Sequence, residues 1–427
     1  MLLISIDTLR ADHLGCYGYA RDTSPHIDTL AREGALFRWA IASGSRTLPS
    51  HVALFTSVYA PIHGADLPNK RLENRLPVLP GVLKDAGYAT LGFYSGHFLR
   101  PQDGFARGFD HYYNCSTYVK PGDEVVHDVI FNRTPGPDEV PGSTNPLILG
   151  SLESWLEKPP QEPFFAFVHI WDVHMPYAPP SPYDKMFPQG DGLDPYERAI
   201  ALYDGGIRAT DEMIGDVLEL LRNHGVLDRT LIILTSDHGE EFSDHGQMGH
   251  AKTLFDESIR VPLVMRLPGV IRPGLKIESQ VRLIDVFPTV LEIVRRPPPS
   301  SIFGVSLLPA LDGRKKDIDL PPAYSSLRTL PGRDNPPLRS LRTSRWKIIE
   351  RQDTKEITFY DLTADPKEQA GVAPRESARA REALAVFREH IKLLDDLGDT
   401  EGVAAETEAP EKDPELMERL RSLGYVK

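Results

Sequence analysis

Short apolar runs that end in polar, chemistry-bearing residues constrain this chain most. Met1-Leu2-Leu3-Ile4-Ser5-Ile6 ends at Asp7. Phe164 to Ile170 runs into Trp171-Asp172-Val173-His174. Thr230 to Thr235 runs into Ser236-Asp237-His238-Gly239-Glu240-Glu241. Such runs, bounded by polar turns, read as strands buried on both faces. Ala35 to Ala42 and Tyr88 to Tyr94 add two more. Between them lie helical segments: Thr23 to Glu33, Leu79 to Ala86 stopped by Gly87, Leu147 to Leu156, and the long amphipathic Ile200 to Asn223 with Gly225 beyond its end. Strand alternating with helix specifies an α/β protein. The expected architecture is an α/β/α sandwich around a mainly parallel, mixed sheet spanning about residues 1–310. Residues 100 to 145 carry much Gly, Pro and Asp and read as insertion loops.

The style changes after a helix from Leu283 to Val294, which ends in Arg295-Arg296-Pro297-Pro298-Pro299. Proline clusters of this kind make rigid connectors. Ala323 to Leu327, Ser340 to Thr343, Trp346 to Arg351 and Thr358 to Leu362 then read as short antiparallel strands, and Ser377 to Leu394 as a long helix. Residues 311–397 are expected to form a small C-terminal α+β subdomain. Residues 398–427 are expected to be an acidic, loose tail with a short helix at Glu415 to Leu423.

Charge and composition exclude several functions. The 427 residues carry a formal net charge of -13. A general nucleic-acid binder needs a basic face, so that class is set aside. No apolar run reaches membrane-spanning length. Two cysteines, Cys16 and Cys115, make neither a disulfide framework nor a thiolate metal site. No signal peptide is visible. The chain starts inside a strand, so a leader is expected to be missing, with a periplasmic or secreted compartment open. The oligomeric state is not encoded in any pattern found.

In open α/β sheets the functional groups gather at the carboxyl ends of the strands. Asp7 and the pair Asp237-His238 have that address. So does Thr47, which opens the stretch Thr47-Leu48-Pro49-Ser50-His51 ahead of an apolar helical run. Pro49 and Ser50 read as helix-start residues, which places Thr47 just ahead of a helix N-terminus, where anions are favoured. The plainer alternatives are a capped surface helix and an Asp that merely caps a turn. Two carboxylates, an imidazole and a hydroxyl form a suitable oxygen and nitrogen shell for a divalent cation. Such a cation would lower the pKa of the Thr47 hydroxyl, otherwise a weak nucleophile. His51, His97, His174, His245, His250 and Lys252 are candidates for oxyanion contact and leaving-group protonation.

At these residues the chain resembles the sulfatases of the alkaline phosphatase superfamily. The resemblance rests on Ile6-Asp7-Thr8-Leu9-Arg10-Ala11-Asp12-His13, Thr47-Leu48-Pro49-Ser50-His51, His174-Met175-Pro176-Tyr177, Ser236-Asp237-His238-Gly239-Glu240, and Lys252-Thr253-Leu254-Phe255-Asp256-Glu257. Phe359-Tyr360-Asp361-Leu362 with Asp365-Pro366 and Glu368 adds the C-terminal signature. The resemblance implies one divalent metal ion held by Asp7, Thr47, Asp237 and His238, with Ca or Mn ahead of Zn. It implies catalytic roles for Thr47, His174, Lys252 and His51, and substrate contacts from His97, His250 and Asn69. The family has Cys or Ser where this chain has Thr47, Arg where it has His51, Gly-Lys where it has Tyr94-Ser95, and a second Asp where it has Thr8. Thr at position 47 is similar to the phosphodiesterase and the phosphoethanolamine or phosphoglycerol transferase branches. The expected activity is metal-dependent hydrolysis of sulfate or phosphate esters through Thr47. A head-group transferase and a non-catalytic anion-binding protein are the alternatives. The expected partner is a small anionic ester, or a sulfated or phosphorylated glycan or lipid head group.

Overall fold

Eight strands build the main sheet of the computed structural model: β1 (Leu2–Ile6), β2 (Ala35–Ile41), β3 (Ala89–Tyr94), β4 (His111–Asn114), β5 (Phe164–Ile170), β6 (Ile232–Thr235), β7 (Arg260–Arg266) and β8 (Leu275–Arg282). Their spatial order is β8-β2-β7-β6-β1-β5-β3-β4. Every neighbouring pair is parallel except the two made by β7, which runs against β6 and β2. The structure describes residues 1–66, 71–96, 98–119, 126–127, 140–157, 163–188, 192–329 and 335–403. The mixed, mainly parallel sheet matches the sequence reading. Its central strands are buried throughout because helices cover both faces: all five residues of β1 and all four of β6 are buried.

The helices that matter for the site are α1 (Pro25–Glu33), α2 (Thr47–Thr56) and α3 (Pro195–Asn223). Helix α3 starts with a capping box, in which Asp194 accepts from the backbone of Tyr196 and Glu197 while Glu197 reaches back. Helix α2 is buried at all ten positions. It begins at Thr47 itself, earlier than the sequence suggested. Ser50 does not cap it; its hydroxyl donates to the Gly44 carbonyl at 3.0 Å. The sequence reading also missed the strands β7 and β8. It read as loop the edge strand β4, whose pairing with β3 is set by tertiary contact rather than by its own pattern.

Four further strands, β9 (Ala323–Leu327), β10 (Leu338–Arg342), β11 (Lys347–Arg351) and β12 (Ile357–Tyr360), form the expected small antiparallel sheet. Helix α4 (Ala378–Val403) packs beside it and against the short helix Ala60–His63. It runs through Gly398, where a loose tail was expected. The rest of that tail, 404–427, lies outside the described residues. The small sheet shares a core with the large one: Tyr324, Leu341, Ile348 and Phe387 belong to the same buried cluster as Phe37, Val52, Phe55 and Phe287. Among the described residues no helix is long and apolar enough to cross a membrane. Cys16 and Cys115 are both free.

Candidate active site

The carboxyl ends of β1, β5 and β6 and the N-terminus of α2 meet at one edge of the sheet. Asp7 follows β1, and its N–H donates to the Ile170 carbonyl at the end of β5. The next residue, Thr8, has φ +60°, an unusual conformation for a β-branched residue. Tyr203 from α3 fixes that turn: its hydroxyl donates to the Thr8 carbonyl and accepts from the Arg10 N–H. Asp237 and His238 follow β6. Gly239 comes next because a Cβ there would lie 1.9 Å from the Glu257 carbonyl oxygen.

These segments bring four predicted residues together. The Thr47 hydroxyl lies 3.4 Å from Asp7 Oδ2 and 3.4 Å from His238 Nε2. His238 Nε2 lies 3.5 Å from Asp7 Oδ1 and 3.4 Å from Asp237 Oδ2. All four residues are buried. The His238 tautomer follows from its neighbour: Nδ1 is 2.9 Å from the Gly239 carbonyl, which can only accept, so Nδ1 carries the hydrogen and Nε2 presents a lone pair. Among the described residues, Asp7 Oδ1 and Asp237 Oδ2 have no hydrogen-bond donor. No Lys or Arg forms an ion pair with either carboxylate among the described residues.

Two buried carboxylates facing acceptor atoms and no fixed cation make an electrostatic hole. Burial pushes the Asp237 carboxyl up, and the nearby Asp7 charge adds to that rise. Burial would raise Asp7 as well, but a hydrogen bond from the His169 ring and positive charge on His174, His238 and His169, where those rings are protonated, would hold Asp7 well below the usual carboxylate range. The pair is thereby split, as like charges sharing one space must be. Ligand atoms 3.4–3.5 Å apart are also spaced as donors are around an ion bound at about 2.0–2.5 Å. The donor set therefore fits a divalent cation.

Thr47 lies on the wall of a cleft of about 1000 Å³. His174, His250 and Lys252 line it from the large sheet's loops, and Leu338, Ile349, Arg351 and Tyr360 from the small sheet. The Lys252 ammonium donates to the Met248 carbonyl at 2.7 Å. The His174 ring stacks on Trp171 with centroids 3.7 Å apart, and its Nδ1 donates to the Met175 carbonyl, leaving Nε2 free. Burial lowers the His174 pKa to about 4. His250 goes the other way. Burial opposes its charge, but the Glu240 carboxylate 2.9 Å from Nδ1 raises its pKa above the ordinary value.

A family model described as Sulfatase matches residues 1–295. The chain belongs to the sulfatase family. A second model, described as N-sulphoglucosamine sulphohydrolase, C-terminal, matches residues 244–392 of this sulfatase-family chain. Arylsulfatase K of Bos taurus is 33% identical over 181 residues, which cover 41% of this chain and 33%, about a third, of that relative's length. An ulvan-active sulfatase of Formosa agariphila is 26% identical over 402 residues, covering 86% of this chain and 76% of its own. Among solved structures, phosphonate monoester hydrolase of Agrobacterium radiobacter superposes with a TM-score of 0.76 at 24% identity, covering 93% of this chain and 95% of that one. That likeness is one of fold.

The remaining candidate residues of this sulfatase-family chain fall differently. His51 is fully buried one helical turn behind Thr47 and does not line the cleft. Its Nδ1 donates to the Thr47 carbonyl and its Nε2 accepts from the Ser5 hydroxyl, both at 2.9 Å. Burial lowers its pKa to about 3. His245 pairs with Glu257 and Glu368, away from the four-residue cluster. Asn69 and His97 lie outside the described residues. The sequence reading missed His169, whose Nε2 is 3.5 Å from Asp7 Oδ2. The available signal was a histidine inside an otherwise apolar strand, Phe164 to Ile170, one residue before its end.

Proposed function

We propose that this chain hydrolyses sulfate or phosphate esters with Thr47 as the nucleophile. The observation that carries the reading is the Thr47 hydroxyl at the first residue of α2, on the cleft wall, equidistant from Asp7 and His238. The helix N-terminus supplies partial positive charge at that point. A divalent cation held by Asp7, Thr47, Asp237 and His238 would lower the hydroxyl pKa and offset charge on the ester oxygens.

The other roles follow from the environments described above. Lys252, whose ammonium donates to a carbonyl and pairs with no carboxylate among the described residues, is placed to meet a non-bridging oxygen of the substrate. Thr47 Oγ, its proton lost to water in the cleft, forms a bond to sulfur or phosphorus as the ester oxygen departs. The departing oxygen takes a proton from His250, whose Glu240 partner keeps it charged. His174, neutral near pH 7, orients that oxygen through Nε2. Water then cleaves the Thr47 ester, releases sulfate or phosphate and frees the hydroxyl. The substrate class is a sulfated or phosphorylated small molecule, glycan or lipid head group. The intact set of acceptors around Thr47 favours this over a pocket that only binds anions.

Thr47→Ala should lower kcat by at least ~10³-fold, about 4 kcal/mol of transition-state stabilisation, with little change in substrate affinity. Rapid quench of wild type with an aryl phosphodiester and with an aryl sulfate, followed by intact-mass analysis, should show one added phosphoryl group still carrying its second ester substituent, or one added sulfuryl group. That group should be absent in Thr47→Ala. Equal turnover by wild type and variant would place the nucleophile elsewhere.

A further inference from the structure

The segment that leads into Thr47 is held from two sides. The Ala42 carbonyl accepts the Ser325 hydroxyl at 2.6 Å and the Ser43 carbonyl accepts the Ser326 N–H at 3.0 Å, so β9 of the small sheet grips it. Gly44 sits there because a Cβ would lie 2.7 Å from the Ser326 carbonyl oxygen. On the other side the Ser45 carbonyl accepts the Ala251 N–H at 3.1 Å. The residues that follow this bonded pair, Arg46 and Lys252, both line the cleft.

Arg46 has extended backbone, with φ -148° and ψ 148°. Its side chain and that of Thr47 therefore leave the chain in different directions. The Thr47 hydroxyl turns to Asp7 and His238. The Arg46 guanidinium turns instead to the Asp66 carbonyl, which accepts from Nη2. The carboxylate of that same Asp66 accepts from Arg328, the residue just past β9, at 2.7 Å. Among the described residues, Arg46 Nε has no acceptor and the guanidinium pairs with no carboxylate. A half-buried, always-charged group on the cleft wall is thus left open, and it bonds to none of Asp7, Asp237 and His238.

We infer that Arg46 is a specificity-determining residue: its guanidinium takes a second oxyanion, carboxylate or sulfate, on the alcohol half of the ester, so the preferred substrate carries an anionic group besides the reacting one. The inference rests on the ester-hydrolase reading above. The reacting group has its own partners at Thr47 and Lys252, and Arg46 points elsewhere along the same cleft. A guanidinium suits this task better than an ammonium. Its planar fork meets two oxygens of one anion at once, and its weaker hydration lowers the cost of working half-buried. The grip of β9 and of Ala251 on the preceding residues holds the fork in place before substrate arrives.

The test compares aryl esters on metal-replete, full-length protein. Aryl sulfates and aryl phosphodiesters carry a carboxylate, a sulfonate or a neutral carboxamide at the ortho, meta or para ring position. At one position or more, wild type should favour the carboxylate or the sulfonate over the carboxamide by at least ~10-fold in kcat/KM, the effect of one charge-assisted contact. Most of that preference should lie in KM. Arg46→Met should abolish it, and Arg46→Lys should keep part of it. A wild type with no preference at any ring position overturns the inference whether or not the variants fold, and the ester-hydrolase reading stands because the esters are still turned over. A folded Arg46→Met that slows charged and neutral esters alike also overturns it, since that is the mark of a structural role. If wild type turns over none of the esters, both readings fall together.

Discussion

Two of the places where the molecule buries charge balance it in opposite ways. Between the large sheet and the small one, Asp256 accepts from Arg342 at 2.7 and 2.9 Å and from Lys347 at 2.8 Å. Lys347 also lies 2.7 Å from Glu368, whose other oxygen accepts the Asp256 N–H at 2.7 Å. Two cations meet two anions, and Lys347 is wholly buried. At the carboxyl ends of the strands, Asp7 and Asp237 are buried too but, among the described residues, meet no Lys or Arg: hydroxyls, imidazole nitrogens and the His238 backbone N–H face them. The first cluster neutralises itself and ties β10 and β11 to the loop that follows Lys252. The second is complete only with an outside cation. A buried charge cluster that closes on itself is read as structure, and one left open as a site.

The sharpest way to break this contrast is to remove one carboxylate from the open cluster. Asp237→Asn keeps the shape and deletes the charge. Activity should fall at least ~10³-fold, and added metal should no longer raise the melting temperature. Chelator-treated Asp237→Asn should be more stable than chelator-treated wild type, by about 1 kcal/mol, because the like-charge repulsion is gone. Thermal scans with and without metal measure both. A variant that is less stable in chelator would mean that the cluster is closed by something in the chain itself.

The same operation on the closed cluster should act with the reverse sign. Lys347→Met leaves Asp256 and Glu368 facing each other with only Arg342 between them. Stripping one partner from a buried ionic group costs about 3–5 kcal/mol, whatever metal is present. Urea unfolding in metal and in chelator checks it, and a loss that depends on metal would join the two clusters. Because Leu338, Ile349, Arg351 and Tyr360 line the cleft, KM should rise as the small sheet loosens.

Which parts were legible in sequence follows the same physics. β1, β5 and β6 announce themselves because a strand buried on both faces must be apolar throughout. Asp7, Asp237 and His238 are legible because polarity begins abruptly at the strand ends. β8 was not legible: its residues Leu275-Lys276-Ile277-Glu278-Ser279-Gln280-Val281-Arg282 mix exposed and buried positions, and a register irregularity after Ile277 spoils the alternation. Thr47 was placed one step outside its helix, since Ser50 resembles a cap in sequence yet spends its hydroxyl on Gly44. His51 was taken for a cleft residue, because sequence proximity to Thr47 cannot show that one helical turn carries it behind the nucleophile. His169 was passed over for the opposite reason: within an apolar run a histidine looks like core until its unpaired nitrogen is seen.

Another buried carboxylate sharpens the contrast by resting mainly on backbone N–H groups. Asp211 of α3 is wholly buried and accepts the backbone N–H groups of His26 and Ile27 at 3.0 and 2.8 Å, so it caps α1 from another helix. Burial raises its pKa to about 6, against the pull of those two N–H groups. The folded state therefore holds this proton more tightly than the unfolded chain, whose Asp titrates near 3.8. The sign of the linkage follows: Asp211 contributes most to stability below about pH 4, and the contribution shrinks as pH rises through about 6. Removing a cap of this kind costs about 1 kcal/mol. Asp211→Ala should then destabilise by about that amount at pH 7 and by more at pH 5, with metal content unchanged. Urea midpoints of both proteins at the two pH values measure the difference. A penalty that grows toward high pH would show that the ionised carboxylate is the better cap, and that helix-end N–H groups can offset full burial of a charge without a counter-ion.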